Sequence, residues 1–266
     1  MNIDRTKAYI IKHGNLFEQA RLKHTVGRKY SQKDVLQSFS EMQNPDGGFP
    51  YGDRRGFPSC LSNTTMALSN LIDMGLADSE PALKSFRFMD RMKKSNGSWE
   101  ENDKIAPLDP PFWDIPGDEE STIWLTAASA EILRKAGKPV PRKTLDFLRK
   151  KQGPDGKFEG YIHTTWIAMA IFGNQSPVTS ASLKYLETAD IGDWDATCIS
   201  WCLSSMKLGG VSADSGLRKK LLDRLSELQE PDGSWPSEGG IPAKVQDANA
   251  VLFAVMDIIK NENINA

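Results

Sequence analysis

The sequence predicts an all-α fold, a single α/α toroid built as a barrel of about six outer/inner helix hairpins. Three observations predict it. A short turn motif recurs along the chain, the segment before each copy is charged and amphipathic, and the segment after it is nearly free of charge. One charged and one apolar helix per repeat is the pattern of a solenoid or a closed ring, in which each pair buries its apolar face against the next.

The motif reads QNPDGGF at 43–49, KKSNGSW at 93–99, QGPDGKF at 152–158 and QEPDGSW at 229–235. Each copy has Asp or Asn, then Gly, one residue, then an aromatic, and Pro-Asp-Gly is strong turn chemistry. The gap before the last copy holds one further unit whose motif has decayed, near 189–193. The charged segments, 31–43, 81–94, 141–152 and 214–229, carry apolar residues at helical spacing, as in Leu217, Leu221, Leu225 and Leu228. They predict outer helices wet on one side. The segments 63–74, 121–133, 164–172, 197–206 and 248–259 are apolar almost all round and predict buried inner helices. Residues 3–25 supply a sixth pair. An open solenoid carries polar capping helices at both ends. The final segment here is apolar like the inner ones, which favours closure into one domain over 1–266.

Composition sets bounds on function. The 39% apolar and 26% charged residues are those of an ordinary globular protein. A formal net charge of −2 argues against a nucleic-acid surface, which needs clustered cations. No run approaches eighteen apolar residues, so no spanning helix is expected. The opening MNIDRTKAYIIKHGN does not read as a signal peptide. Cys60, Cys198 and Cys202 are too few for a disulfide framework, so reduced thiols in the cytoplasm are the expectation.

The motif QEPDGSW and its relatives resemble the repeat of squalene-hopene and related class II terpenoid cyclases, and protein prenyltransferase β subunits share a weaker form of it. The resemblance covers nearly the whole chain. It implies the α/α toroid, with the Gln and the aromatic bracing one helix pair against the next. Class II cyclases carry Asp-x-Asp-Asp-Thr, whose middle Asp protonates the substrate. The nearest matches here are DWDAT at 193–197, which makes Asp195 the implied donor beside Asp193, and DEEST at 118–122, which puts Glu120 at the donor position beside Asp118. Ala196 and Ser121 stand where the last Asp of the pattern would be. Prenyltransferases hold zinc with Asp, Cys and His. The corresponding alternative set is Asp195, Cys198 and His163, with Asp195 and Cys198 three apart rather than two and His163 preceding them.

In a closed ring the leading ends of the inner helices share one rim. That rim would gather Arg54 and Arg55, Asp118, Glu119 and Glu120, His163, Asp193 and Asp195, and Lys244 and Asp247. Coupled carboxyls at a helix start are suited to hold a proton for an alkene or epoxide, and helix N-capping is their structural alternative. Arg54 and Arg55 would hold a diphosphate, or form a solvated surface pair. Trp124, Trp166 and Trp201, with Tyr161, Phe172 and Phe253, would stabilise a cation in a dry cavity, or serve as core. Asp195, Cys198 and Cys202 fall on one helix face, where the two thiols would be zinc ligands or small buried apolar groups. The Pro-rich segment 102–117 (NDKIAPLDPPFWDIPG) interrupts the repeat and reads as a lid over the rim or an inert insertion.

Three functions follow from these readings. The first is a cyclase-like protein that binds or cyclises an isoprenoid or another apolar small molecule, without a cofactor. The second is a zinc-dependent prenyl-transfer module. The third is a non-catalytic toroid for a protein or apolar ligand. One toroid is small for a triterpenoid site between two barrels, which points to a partner subunit or a homodimer for that role.

Overall fold

A computed structural model describes residues 1–212 and 214–264, with side chains as far as Met256. Of the segment 248–259 expected to be an inner helix, the side chains of 257–259 lie outside this description. Among the described residues, twelve α-helices alternate in kind. The outer helices are α1 (Ile3–His13), α3 (Gln32–Met42), α5 (Glu80–Met92), α7 (Arg142–Arg149), α9 (Pro177–Thr188) and α11 (Gly216–Leu228). The inner helices are α2 (Leu16–Thr25), α4 (Leu61–Asp73), α6 (Glu119–Lys135), α8 (Ile162–Phe172), α10 (Ala196–Leu208) and α12 (Gly240–Ile264). These are the six pairs read from the sequence. The inner helices carry much of the core: α8 buries every residue from Thr164 to Ile171, and Ile123, Leu125, Ala127 and Ala130 of α6 are 0–1% exposed. No helix of the described residues is long and apolar enough to cross a membrane.

The chain forms two compact units, residues 1–35, 187–207 and 212–266 in one, and residues 36–186 and 208–211 in the other. Both use the same turn. In each motif the Asp or Asn side chain accepts the amide two residues on, from Asp46 to Gly48, Asn96 to Ser98, Asp155 to Lys157 and Asp232 to Ser234, at 2.9–3.1 Å. The intervening Gly47, Gly97, Gly156 and Gly233 take φ of +86° to +94°. Each of those glycine carbonyls accepts a hydroxyl from the next outer helix: Ser85 (3.2 Å), Thr144 (2.7 Å), Ser182 (3.3 Å) and Thr6 (3.0 Å). Where the motif begins with Gln, its amide donates to the same hydroxyl, Gln43 to Ser85, Gln152 to Ser182 and Gln229 to Thr6, at 2.9–3.1 Å. The motif aromatic closes the turn from the inside. The amides of Phe49, Trp99 and Phe158 donate to Thr64, Thr126 and Thr165 of the following inner helix.

The second motif has Lys93 in place of Gln, and Lys93 pairs instead with Asp90 at 2.7 Å. The decayed unit keeps the brace by other means. Lys220 and Arg224 of α11 donate to the carbonyls of Ala189 and Gly192, each at 2.6 Å. The last motif takes its hydroxyl from Thr6, so the first helix docks on the final repeat as any outer helix docks on its predecessor. Helix α1 packs on α12, and α2 packs beside it. Helix α2 departs from the uncharged inner pattern. Its Glu18 is buried and accepts Asn249 Nδ2 of α12 at 2.6 Å.

The brace makes the motif glycine irreplaceable. A Cβ at Gly233 would stand 2.4 Å from the Arg5 carbonyl carbon and 2.6 Å from the Thr6 nitrogen, at a φ that side chains rarely adopt. Gly233→Ala is expected to cost about 2–4 kcal/mol in urea unfolding. Gly216→Ala, where a Cβ meets nothing within 4 Å, is expected to change stability by less than about 1 kcal/mol.

Candidate functional site

The leading ends of α4, α6 and α8 lie in one unit, and the segment 102–117 is tied to all three. Helix α4 is preceded at its N-cap by Cys60, whose side chain makes no capping bond. Its first backbone donors are satisfied from the next repeat: Glu101 accepts the amides of Leu61 (2.6 Å) and Ser62 (3.1 Å), and also that of its own neighbour Asn102 (2.7 Å). The Ser62 hydroxyl, so placed, donates to Asp114 Oδ2 at 2.8 Å. Asn102 Nδ2 bonds the Ser59 carbonyl at 2.7 Å. Further along the segment, the Phe112 carbonyl accepts both the Ser121 hydroxyl at the start of α6 and the Tyr161 hydroxyl before α8, each at 2.9 Å. The segment that broke the repeat therefore covers three helix starts, with Phe112, Trp113 and Ile115 exposed on it.

Two carboxyl groups at this segment, one just before it and one on it, are dry. Glu101 is 3% exposed and Asp114 is 4% exposed. Burial pushes Glu101 up to about 7 against the pull of its three amide donors, and pushes Asp114 up to about 6 against the single Ser62 hydroxyl. Burial likewise drives the Cys60 thiol up to about 12. Both carboxyls were absent from the sequence-based candidates. The available signal was the helix start Ser-Cys-Leu-Ser, which has no residue able to cap α4 at Cys60 and so called for a distant acceptor.

The sequence candidates fall into two sets. In the same unit as the segment, Asp118 caps α6 by accepting the Ser121 amide at 2.8 Å. Glu119 pairs with Lys151 at 2.5 Å, and Glu120 is exposed. His163 lies between Trp124 and Trp166, with ring centroids at 5.3 and 4.6 Å. Arg54 lies over the Phe57 ring, and Arg55 pairs with Glu41 at 3.5 Å on an exposed surface. The other unit holds Asp193 and Asp195, both exposed, and Trp201, half-buried on α10. Asp195 Oδ1 accepts the Cys198 amide at 2.7 Å, a helix cap. The half-buried Asp247 accepts the Thr197 hydroxyl, and burial raises its carboxyl. Lys244 pairs with Glu230.

The residues of the zinc alternative fall in both units. Asp195 is engaged with the Cys198 backbone, the Cys198 thiol is pushed up to about 12 by burial and then by Asp195, and His163 belongs to the other unit. No three His, Cys, Asp or Glu side chains among the described residues are grouped to hold a metal ion.

Comparison with known proteins gives the fold. No protein-family model matches the chain. The squalene-hopene cyclase of Schizosaccharomyces japonicus (strain yFS275 / FY16936) is 26% identical over 187 residues, which are 65% of this chain and 27% of that cyclase. The chain thus spans about a quarter of the length of that relative. The type II terpene cyclase MstE from Scytonema matches with a TM-score of 0.65 at 16% identity over 97% of both chains. The structure of an MstE variant with its substrate geranylgeranyl dihydroxybenzoate matches with a TM-score of 0.63 at 16% identity, over 96% of this chain and 95% of that one. A protein from Actinoplanes matches with a TM-score of 0.65 at 15% identity, over 96% of this chain and 97% of that one. These likenesses show a terpenoid-cyclase-like α/α toroid.

The dry carboxyls make a measurable contribution to stability. A carboxyl whose value is raised on folding favours the folded state below its unfolded value, and that advantage is lost as pH rises through the folded value. Asp114 should therefore make the protein less stable as pH rises from about 4 through about 6. Asp114→Asn leaves an oxygen for Ser62 and removes the titration. Its melting temperature should lack that part of the fall between pH 4 and 7, as followed by circular dichroism.

Proposed function

We propose that this chain, a terpenoid-cyclase-like α/α toroid, binds an isoprenoid and cyclises it after protonation by a carboxyl group. The observation that carries this reading is that dry carboxyls and stacked aromatic groups lie near the starts of consecutive inner helices of one unit. Carboxyls shielded from water lie at α4, and Trp124, His163 and Trp166 stack at α6 and α8, all in one unit. Chemistry that begins by adding a proton to a hydrocarbon needs an acid kept neutral until it acts, and then a wall that tolerates positive charge. Water must be kept away from both. Asp118 and Glu120 stand at the same helix start as Trp124, and Asp193 and Asp195 at the start of α10. The unit that holds α10 and α12 has its own aromatic and acidic side chains, Trp201 and Asp247. Arg54 and Arg55, in the same unit as α4, would take a diphosphate once Arg55 leaves Glu41. The isoprenoid complexes of MstE support the substrate class, and the squalene-hopene cyclase likeness supports the reaction class.

A second reading is a toroid that holds the same kind of ligand without reacting. It is favoured by one observation: Asp118 and Asp195 each give an oxygen to a helix cap. One experiment separates the two. Purified protein is incubated with squalene, geranylgeranyl diphosphate and geranylgeranyl dihydroxybenzoate, and extracts are read by mass spectrometry and retention time. The cyclase reading expects a product of unchanged mass and altered retention from at least one of them, since ring closure is an isomerisation. Retention of a lipid through purification without turnover would support the binder. Neither product nor bound lipid would end both readings.

A further inference from the structure

We propose that Asp114, on the segment that covers the helix starts, is the acid that begins the reaction, with the Ser62 hydroxyl holding its second oxygen. The proposal rests on the cyclase reading and names the group that the reading leaves open. Four observations point to Asp114. It is 4% exposed, so water has little access to its proton. Its carboxyl caps no helix, unlike Asp118, Asp195 and Glu101, which all accept amides at helix starts. Its Oδ2 is fixed by Ser62, and its Oδ1 is buried with no hydrogen-bond partner in the protein. Finally, the residues around it in the chain, Phe112, Trp113 and Ile115, are exposed apolar side chains, a surface that accepts a hydrocarbon. A buried polar atom without a partner is costly unless something else answers it. A protonated Oδ1 facing an alkene is such an answer. Burial keeps the group protonated to about pH 6.

The step balances as follows. The Oδ1–H bond breaks, and its electron pair stays on the carboxylate, where Ser62 steadies the charge at Oδ2. The π pair of a trisubstituted alkene forms a new C–H bond at the less substituted carbon, which leaves the positive charge on the tertiary carbon. Successive alkenes then close the rings, the last cation loses a proton to water, and solvent returns a proton to Asp114. Glu101 is a positioning residue here. Its carboxyl group holds the Ser62 amide at 3.1 Å and so sets where the hydroxyl points.

The test uses the full chain and whichever isoprenoid the wild type turns over. Asp114→Asn keeps the acceptor for Ser62 and loses only the proton. Turnover should fall roughly 10²-fold or more, with lipid binding and the circular dichroism spectrum unchanged. The wild-type rate should be full at low pH and fall as pH rises through about 6, because the acid must be protonated. Ser62→Ala removes the donor that lowers the Asp114 value, so that falling limb should move to higher pH. A merely structural loss would lower the rate at every pH and leave the limb in place. Turnover by Asp114→Asn within a few-fold of an active wild type overturns the assignment and leaves the cyclase reading standing. An unmoved limb in Ser62→Ala overturns it as well, and decides the matter if Asp114→Asn does not fold. No turnover by the wild type removes the reading and the assignment together.

Discussion

The structure depends on a hydroxyl donated into a glycine carbonyl. Each motif turn exposes the carbonyl of a glycine in the left-handed region, and a Ser or Thr on the next outer helix bonds it. One such bond contributes about 1 kcal/mol, too little to hold a helix by itself. Its weight comes from repetition and from sterics. The glycine lies against the backbone of the neighbouring helix, so the turn can approach only where no Cβ intervenes. The brace fixes the distance and rotation of α1, α5, α7 and α9. The inner helix then follows, because the motif aromatic is bonded to its threonine. At the chain ends the same bond, through Thr6 and Gly233, joins the first helix to the last motif.

This construction places helix starts side by side and leaves their amides to be satisfied. Asp118 and Asp195 meet the demand locally, three residues before the amide they accept. Helix α4 cannot, because Cys60 offers no acceptor, and Glu101 reaches it from the next repeat, 40 residues away. That borrowed cap brings a carboxyl into the interior and orients Ser62 toward Asp114. The same rule that completes the backbone hydrogen bonds of α4 thus gathers two carboxyls in a dry place.

The segment 102–117 shows how far the residues could be read in advance. Its length and proline content marked it as foreign to the repeat, and its position after a motif aromatic put it near the helix starts. The turn chemistry, the alternation of charged and apolar segments and the six pairs were legible for the same reason: each is a local pattern of period set by the backbone. The charged α2, with Glu18 buried against Asn249, broke the pattern because its partner comes from the opposite end of the chain. The acids of the near-matches to Asp-x-Asp-Asp were legible as residues. Their surroundings were not. Asp195 and Glu120 are exposed, while Asp114, in no motif at all, is buried.

What the sequence determined by itself was the repeat, the kind of helix on either side of it and the positions of the turns, because glycine conformation, side-chain turns and helical spacing act over a few residues. Only the tertiary structure decided which carboxyl is dry and which is wet. That depends on what packs above it, and the partners concerned are distant in the chain, as Ser62 and Asp114 are by 52 residues. Desolvation is a property of the assembled surroundings, and no local pattern carries it.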